Sequence, residues 1–476
     1  MTVSSREGAP GAADARVPGL RLLRIRRLQT LAIGALALLG IAAIGEAAPK
    51  AKAPPYGLDK RVVPDPYLRM PQDISGALPK LLSQTGAFKD TRTLTPADGL
   101  IPYEIRVPFW SDGASKLRWV SVPKEKIGFS PTGDWTFPSG SVFVKTFELP
   151  VDEGNPTVKR RLETRLLVRD GAGGVYGVVY KWRADNSDAD LLSSSVTEKI
   201  PIRTANGATR YQTWYYPSRK DCLQCHNAHT SGVLGVKTRQ INRDITFPSG
   251  ITDNELRTWN HLGLFSTKLN EADLPSLPSL AVLDDSSRSI EDRARSYLDA
   301  NCSQCHRPGV TVANFDARYD TPLARQGLVD GPVLIDERID HSRVIASNDI
   351  WRSIAFMRVN TNGDIRMPPI ARETIDPQGV ALLRQWIASL PGRQVVPPPQ
   401  IAPAAGNYAK PIKVTLTDSE PGAQIHYTLD GSTPGASDPK YDKPIDVSGA
   451  TIVRARAFKD GYTRSIVNQG VFIVAQ

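Results

Sequence analysis

At 476 residues, 40% hydrophobic and 23% charged, the chain is too long for one core and too apolar for a disordered segment, so several domains are expected. Part of its net charge of +10 is N-terminal: residues 1–48 hold six Arg and three acids, a net +3, leaving +7, too mild a surplus to argue for nucleic acid as a partner. All four cysteines fall in two short motifs, so no thiol is left for a structural disulfide.

Arg21, Arg24, Arg26 and Arg27 precede an apolar run, Leu31–Gly45, and small residues follow at Ala47–Ala48. The run falls short of the ~20 residues a spanning helix needs, so 1–48 reads as a signal peptide and the protein as exported, periplasmic in a bacterium. The alternative is an uncleaved N-terminal membrane anchor. Residues 49–77, rich in Pro, Lys and Ala, read as a tether. From 78 to 216 the pattern is β. Leu162, Thr164, Leu166 and Val168 alternate with charged residues, Asp170–Gly174 supplies a turn, and Val175–Trp182 continues as a β-branched and aromatic run, a hairpin signal. Ser141–Leu149 reads as another strand, and a sandwich- or jelly-roll-like domain is expected.

Residues 217–275 carry Cys222-Leu223-Gln224-Cys225-His226, and Cys302-Ser303-Gln304-Cys305-His306 repeats the pattern. C-x-x-C-H is the attachment sequence of c-type haem: two thiols form thioethers to the porphyrin, and the next histidine, His226 or His306, is the proximal iron ligand. A zinc site would space its thiol pairs by about 15–20 residues; here 76 residues lie between Cys225 and Cys302. The expected cofactors are therefore two covalent haems c.

Ser218 caps a short helix leading to Cys222, and Thr252–Glu255 reads as a capping box for a helix with Leu256 and Trp259 on one side. In 286–391, Ser289 caps a helix with Ile290, Ala294, Tyr297 and Leu298 at helical spacing. Asp376 and Pro377 open another, with Leu383, Trp386, Ile387 and Leu390 on one face. Two helices around one motif predict a cytochrome c-like second haem domain. Met367, in Arg366-Met367-Pro368-Pro369, is the candidate distal ligand, with Met357 next. For the first iron, His229 projects from the proximal face. No Met lies between Met70 and Met357, so a vacant site, His261 and a remote group are the alternatives. The proline-rich stretch 392–403 reads as a semi-rigid linker, and 404–476 is β again, with His426 a structural histidine.

Two resemblances follow from these residues. Residues from about 78 to 391 resemble a largely uncharacterised family of exported bacterial dihaem c-type cytochromes. The matching pieces are Pro108–Asp112 (PFWSD), Phe137–Gly140 (FPSG), Glu163–Leu167 (ETRLL), Leu234–Asp244 (LGVKTRQINRD), Tyr297–Cys302 (YLDANC), Phe315–Arg318 (FDAR) and Arg366–Pro369 (RMPP). This resemblance implies haem binding and electron transfer but no substrate. The tail is similar to the small β-sandwich at the C-terminus of chitobiase and some fucosidases, through Ile425–Pro434 and Ile452–Tyr462. It is an accessory domain there, and no paired catalytic carboxylates accompany it here.

The expected fold class is multidomain: an N-terminal all-β sandwich-like domain, an α-helical cytochrome c haem region and a C-terminal immunoglobulin-like β-sandwich. The expected function is electron transfer between two covalent haems and a redox partner protein. One alternative is a peroxidase-like dihaem oxidoreductase with the first haem as an open reaction centre. Another is a surface-attached protein that contacts a glycan or protein through 404–476.

Overall fold

The computed structural model describes residues 54–311 and 314–475; the expected signal segment, 1–48, lies outside them. After a small antiparallel pair, β1 (Phe88–Asp90) and β2 (Thr95–Pro96), six strands form one antiparallel sheet in chain order: β3 (Leu100–Pro102), β4 (Ser115–Ser121), β5 (Val142–Pro150), β6 (Lys159–Arg169), β7 (Val175–Trp182) and β8 (Ala189–Leu191). The β6–β7 turn forms at the expected residues, where Asp170 Oδ1 accepts from the N–H groups of Ala172 and Gly174 (3.0 and 2.7 Å). A hairpin follows, β9 (Val196–Arg203) with β10 (Thr209–Tyr216).

Alternation gives the sheet two different faces. On one, Val142, Val144, Leu166, Val168, Tyr176 and Val178 bury against Met70, Leu82 and Phe88. On the other, Val120 and Phe143 join a core with Trp135 and Trp259, while Phe147 packs with Trp214 and Tyr216 of the hairpin. The expected two-sheet sandwich is not what forms. Loops, a hairpin and a short helix cover this sheet, because the strand-forming runs are consecutive and each simply pairs with the next.

The expected tether is also bound rather than free over its described part. Gly57 N–H donates to Asp253 Oδ2 and Thr258 Oγ1 (3.1 and 3.0 Å), Arg61 donates to the Val122 carbonyl (2.8 Å), and Met70 is buried. The segment has no periodic apolar pattern because side chains elsewhere satisfy its backbone.

The largest correction concerns the haem region. The described residues are 28% strand against 15% helix, and among them no α-helical cytochrome c domain forms. Helix α1 (Arg219–Cys225) and α2 (Thr238–Ile241) are short, and between them and α3 (Glu255–His261) lies a strand pair, β11 (Asp244–Thr246) and β12 (Thr252–Asn254). The predicted cap at Thr252 is a strand residue bonded to Thr246 (2.9 Å), and Asn254 caps α3 instead, accepting from Leu256 and Arg257. Helices α4 (Ile290–Asn301) and α6 (Pro377–Ser389) form where Ser289 and Asp376-Pro377 place them, and they pack together. Among the described residues, α5 (Ile354–Val359) and a single turn of 3-10 helix are the helical elements between them. The rest is loop, held by side-chain bonds to main chain such as those from Arg372 to the carbonyls of Val359, Thr361 and Met367.

The tail is a β-sandwich. One sheet is β13 (Gln400–Ala402), β15 (Ile412–Thr417) and β17 (Ile445–Val447). The other is β14 (Gly406–Tyr408), β19 (Asn468–Val474), β18 (Thr451–Phe458) and β16 (Gln424–Thr428). Val414, Leu416, Val453, Ala455 and Phe472 fill the space between them. Val396, inside the expected linker, belongs to this core and exchanges main-chain bonds near Thr463. Asp340, from the loop region before α5, accepts from Arg352, Arg456 and Arg464 (3.4, 2.7 and 3.5 Å), which fastens the tail to the body.

Candidate functional site

The two C-x-x-C-H motifs, 80 residues apart in sequence, meet in space. The Cys225 and Cys305 thiols perturb each other, the pKa of Cys225 being raised and that of Cys305 lowered. Arg307 locks the junction. It follows His306 directly, caps Ser303 O (2.6 Å), and reaches both the His229 carbonyl (3.0 Å) and Asp134 Oδ2 (2.9 Å).

Local sequence explains how the first motif is presented. Ser218 caps α1, with Asp221 returning a bond to the Ser218 N–H (2.7 Å). The helix lies against β7 at Gly177, where an added Cβ would sit 2.9 Å from both Cβ and Sγ of Cys222; the missing side chain is the space the thiol needs. His226 Nδ1 lies 2.9 Å from the Gly232 carbonyl. A carbonyl only accepts, so Nδ1 carries the proton and Nε2 keeps its lone pair. Burial, with Lys145 nearby, lowers the His226 pKa to about 4 and keeps the ring neutral.

The second motif leaves α4 at Asn301. His306 stacks on Phe315 with centroids 4.3 Å apart, its carbonyl accepts from the Ala317 N–H (2.8 Å), and its Nδ1 is buried without a hydrogen-bond partner. Burial, then Arg358, lowers its pKa to about 4. Met367 N–H donates to the Arg358 carbonyl (2.9 Å), so the Met367 loop and His306 share a neighbour.

Several motifs singled out in the sequence converge here. Asp299 of YLDANC is fully buried and pairs with Lys237 (3.0 Å) and Arg239 (3.2 Å) of LGVKTRQINRD. Gln240 brackets Val107, accepting from its N–H and donating to its carbonyl (2.8 and 2.9 Å). In PFWSD, Trp110 N–H donates to Asn301 Oδ1 (2.7 Å) and Asp112 Oδ1 accepts from the N–H groups of Glu373 and Thr374 (2.9 and 2.8 Å).

A cavity of about 190 Å³ opens beside Cys222, Cys225 and His226. Its floor is the sheet face carrying Phe143, Leu167 and Gly177, and its walls include Ser303, Gln304 and Arg307 from the second motif. Neither His261 nor a methionine lines it. His261 is instead on the far surface of α3, stacked on Tyr56 and bonded to the Asp59 carbonyl (2.9 Å). His229 is exposed, and His426 is held in β16 by the Asp438 carbonyl (2.7 Å). Sequence reasoning missed the basic side chains Lys116, Arg118, Lys145 and Arg165 in this floor. Their spacing of two along β4 and their setting in β-patterned runs were the available signals. The glycine inside the run VYGVVYKW was another.

Among the described residues no group of three or more His, Cys, Asp and Glu side chains is arranged to hold a metal ion by itself, and no helix is long and apolar enough to cross a membrane. Residues 403–469 match the family model described as the chitobiase/beta-hexosaminidase C-terminal domain, which agrees with the two-sheet tail. The match does not reach the C-x-x-C-H region, and no curated protein matches the chain.

Proposed function

We propose that this chain is an exported electron-transfer protein with two covalently bound haems, one on Cys222 and Cys225 and one on Cys302 and Cys305. The observation that carries this reading is the contact between the motifs: Arg307, directly after His306, donates to the His229 carbonyl three residues past His226 (3.0 Å), and Ser303 and Gln304 share a cavity wall with Cys222 and Cys225, so groups held by the two thiol pairs are neighbours. The residues present fit the group. Each thiol pair is followed by a neutral imidazole, His226 having its Nδ1–H fixed on a carbonyl in the manner that orients a metal-ligating histidine. Haem iron takes its equatorial ligands from the porphyrin, so a cluster of three or more protein ligands is not required.

When bound, the haems would supply one-electron ferric/ferrous couples. Cys222, Cys225, Cys302 and Cys305 would fix them by thioethers, His226 and His306 would supply imidazole donors, and Met367 would offer a thioether to the second iron. Arg307 holds the two sites in register. The resemblance to exported dihaem cytochromes belongs to this reading, as do a signal peptide or anchor in 1–48 and a separate redox partner protein. The test is mass spectrometry of the peptides containing residues 222–226 and 302–306 from exported protein. A haem mass on each is expected; haem on one, or zinc in place of haem, refutes the reading.

One observation favours a second reading. The lining of the first cavity offers one imidazole, that of His226, and no thioether, which suits an oxidoreductase whose first haem reacts with a small ligand. Electron paramagnetic resonance with and without cyanide separates the two: a high-spin signal converted by cyanide favours the enzyme, and two unaffected low-spin signals favour electron transfer alone.

A further inference from the structure

The cavity floor carries a line of like charges. Register pairs Arg118 on β4 with Lys145 on β5, and Lys145 with Arg165 on β6, so three cations stand directly opposite one another across three strands. Lys116, two residues from Arg118, is on the same face. The ring of Phe147 lies beneath three of them, with Lys116, Lys145 and Arg165 at 5.8, 5.3 and 4.4 Å from its centroid. Like charges facing each other on a sheet are destabilising, yet this face holds a single carboxylate, Glu163, which is committed to Arg165 through two bonds (3.1 and 2.6 Å). Lys145 has no hydrogen-bond or ion-pair partner among the described residues, and Arg118 donates only to the Lys116 carbonyl (3.3 Å). The other acids of the cavity wall are engaged: Asp134 with Arg307, Asp299 with Lys237 and Arg239, and Asp221 with Ser218 and Tyr215.

We propose that Arg118, Lys145 and Arg165, with Lys116, form a carboxylate-binding floor whose occupants are the propionates of the porphyrin held by Cys222 and Cys225. This rests on the haem reading above and adds to it the residues that neutralise and orient the group. Its geometry is favourable: Gly177, against which Cys222 packs, and Lys145 are two strands and two residues apart on one face, roughly 12 Å at ordinary strand spacings. That is a span from the thioether edge of a porphyrin toward its carboxylate edge. A free oxyanion entering the cavity would meet the same cations, and the test separates the two sources.

The test uses the exported, haem-loaded protein and its Lys145→Gln and Lys145→Arg variants. Haem mass on the 222–226 peptide of the wild type is read first; its absence sinks the haem reading and this inference with it. With haem present, the midpoint potential of the first haem should fall in Lys145→Gln, because losing a cation beside the propionates disfavours the reduced, less positive iron, and should be restored in Lys145→Arg. Inorganic phosphate should leave the wild-type spectrum unchanged. A saturable spectral response to phosphate in the wild type, lost in Lys145→Gln, would assign the floor to a free oxyanion and overturn the propionate assignment. An unchanged potential in Lys145→Gln, without such a response, would overturn the inference while leaving haem attachment intact.

Discussion

Replacing Gly177 with alanine tests the seat of the first motif. The new Cβ would stand 2.9 Å from Cys222 Cβ and Sγ, whereas carbon atoms in contact prefer about 3.5–4.0 Å, so something must move by roughly 0.6–1.1 Å. Strand β7 is paired with β6 along its length, Gly177 opposite Leu167, and with β8 at Tyr180–Trp182, so it yields less readily than a short helix. Helix α1, seven residues long and with no buried residue, is the part that shifts. Overpacking of this size costs about 1–3 kcal/mol, partly offset by about 0.5–1 kcal/mol gained when alanine replaces glycine within a strand. The net loss is thus small, about 0–2.5 kcal/mol, but it falls on the position of one thiol. The expected result is incomplete haem attachment at 222–226 with attachment at 302–306 unaffected, read by peptide mass. Gly173→Ala, in the β6–β7 turn with nothing within 4 Å of the added atom, controls for glycine loss as such, though its φ of +85° adds its own turn strain. Full attachment in Gly177→Ala would refute the packing argument.

Asp299→Asn removes the buried anion between Lys237 and Arg239 and should cost about 3–5 kcal/mol in denaturant unfolding; a loss below about 1 kcal/mol would show that Asp320 alone satisfies Arg239. Burial opposes ionisation of Asp299, but Lys237 and Arg239 hold its pKa below the usual 3.8, so this contribution is present above that value and fades as pH falls through the folded pKa. Glu255 behaves in the opposite sense. Burial raises its pKa well above 4.5, so the wild type loses stability as pH rises from that value, and Glu255→Gln should raise Tm at pH 7 but not at pH 4; equal shifts at both would count against this. Asp340→Asn should weaken the fastening of the tail through Arg456 and Arg464 by about 2 kcal/mol and speed protease cutting in 392–399, with an unchanged cutting rate as the contrary result. Met367→His should lower the potential of the second haem, since imidazole favours ferric iron more than a thioether does; an unchanged potential would point to Met357.

What the sequence disclosed well was local. Ser289 and Asp376-Pro377 mark helix starts because caps are satisfied within a few residues, and the β6–β7 hairpin follows from alternation around a turn. The fold class failed where a motif was extended into a domain. C-x-x-C-H specifies thiol and imidazole spacing, and it says nothing about whether helices or a sheet wall the site. The stretch from Cys302 to Asp376 has little periodicity, and its order comes from bonds such as those from Arg372 to carbonyls 5 to 13 residues earlier, which follow no helical or strand period. The cation row was hidden for the same reason: Arg118, Lys145 and Arg165 become neighbours only once strand register is known.

The PFWSD segment has a consequence for how the chain matures. Its Trp110 and Asp112 find partners 191 and 262 residues later, at Asn301 and Thr374. Contacts of such long range form late, because loop closure must precede them, and a chain emerging from its N-terminus can pair β4 with β5 long before either partner exists. The first thiol pair is therefore released into solvent well ahead of the residues that will wall it in. That interval is a window in which a modifying enzyme can reach Cys222 and Cys225, and it closes only when the last third of the chain arrives.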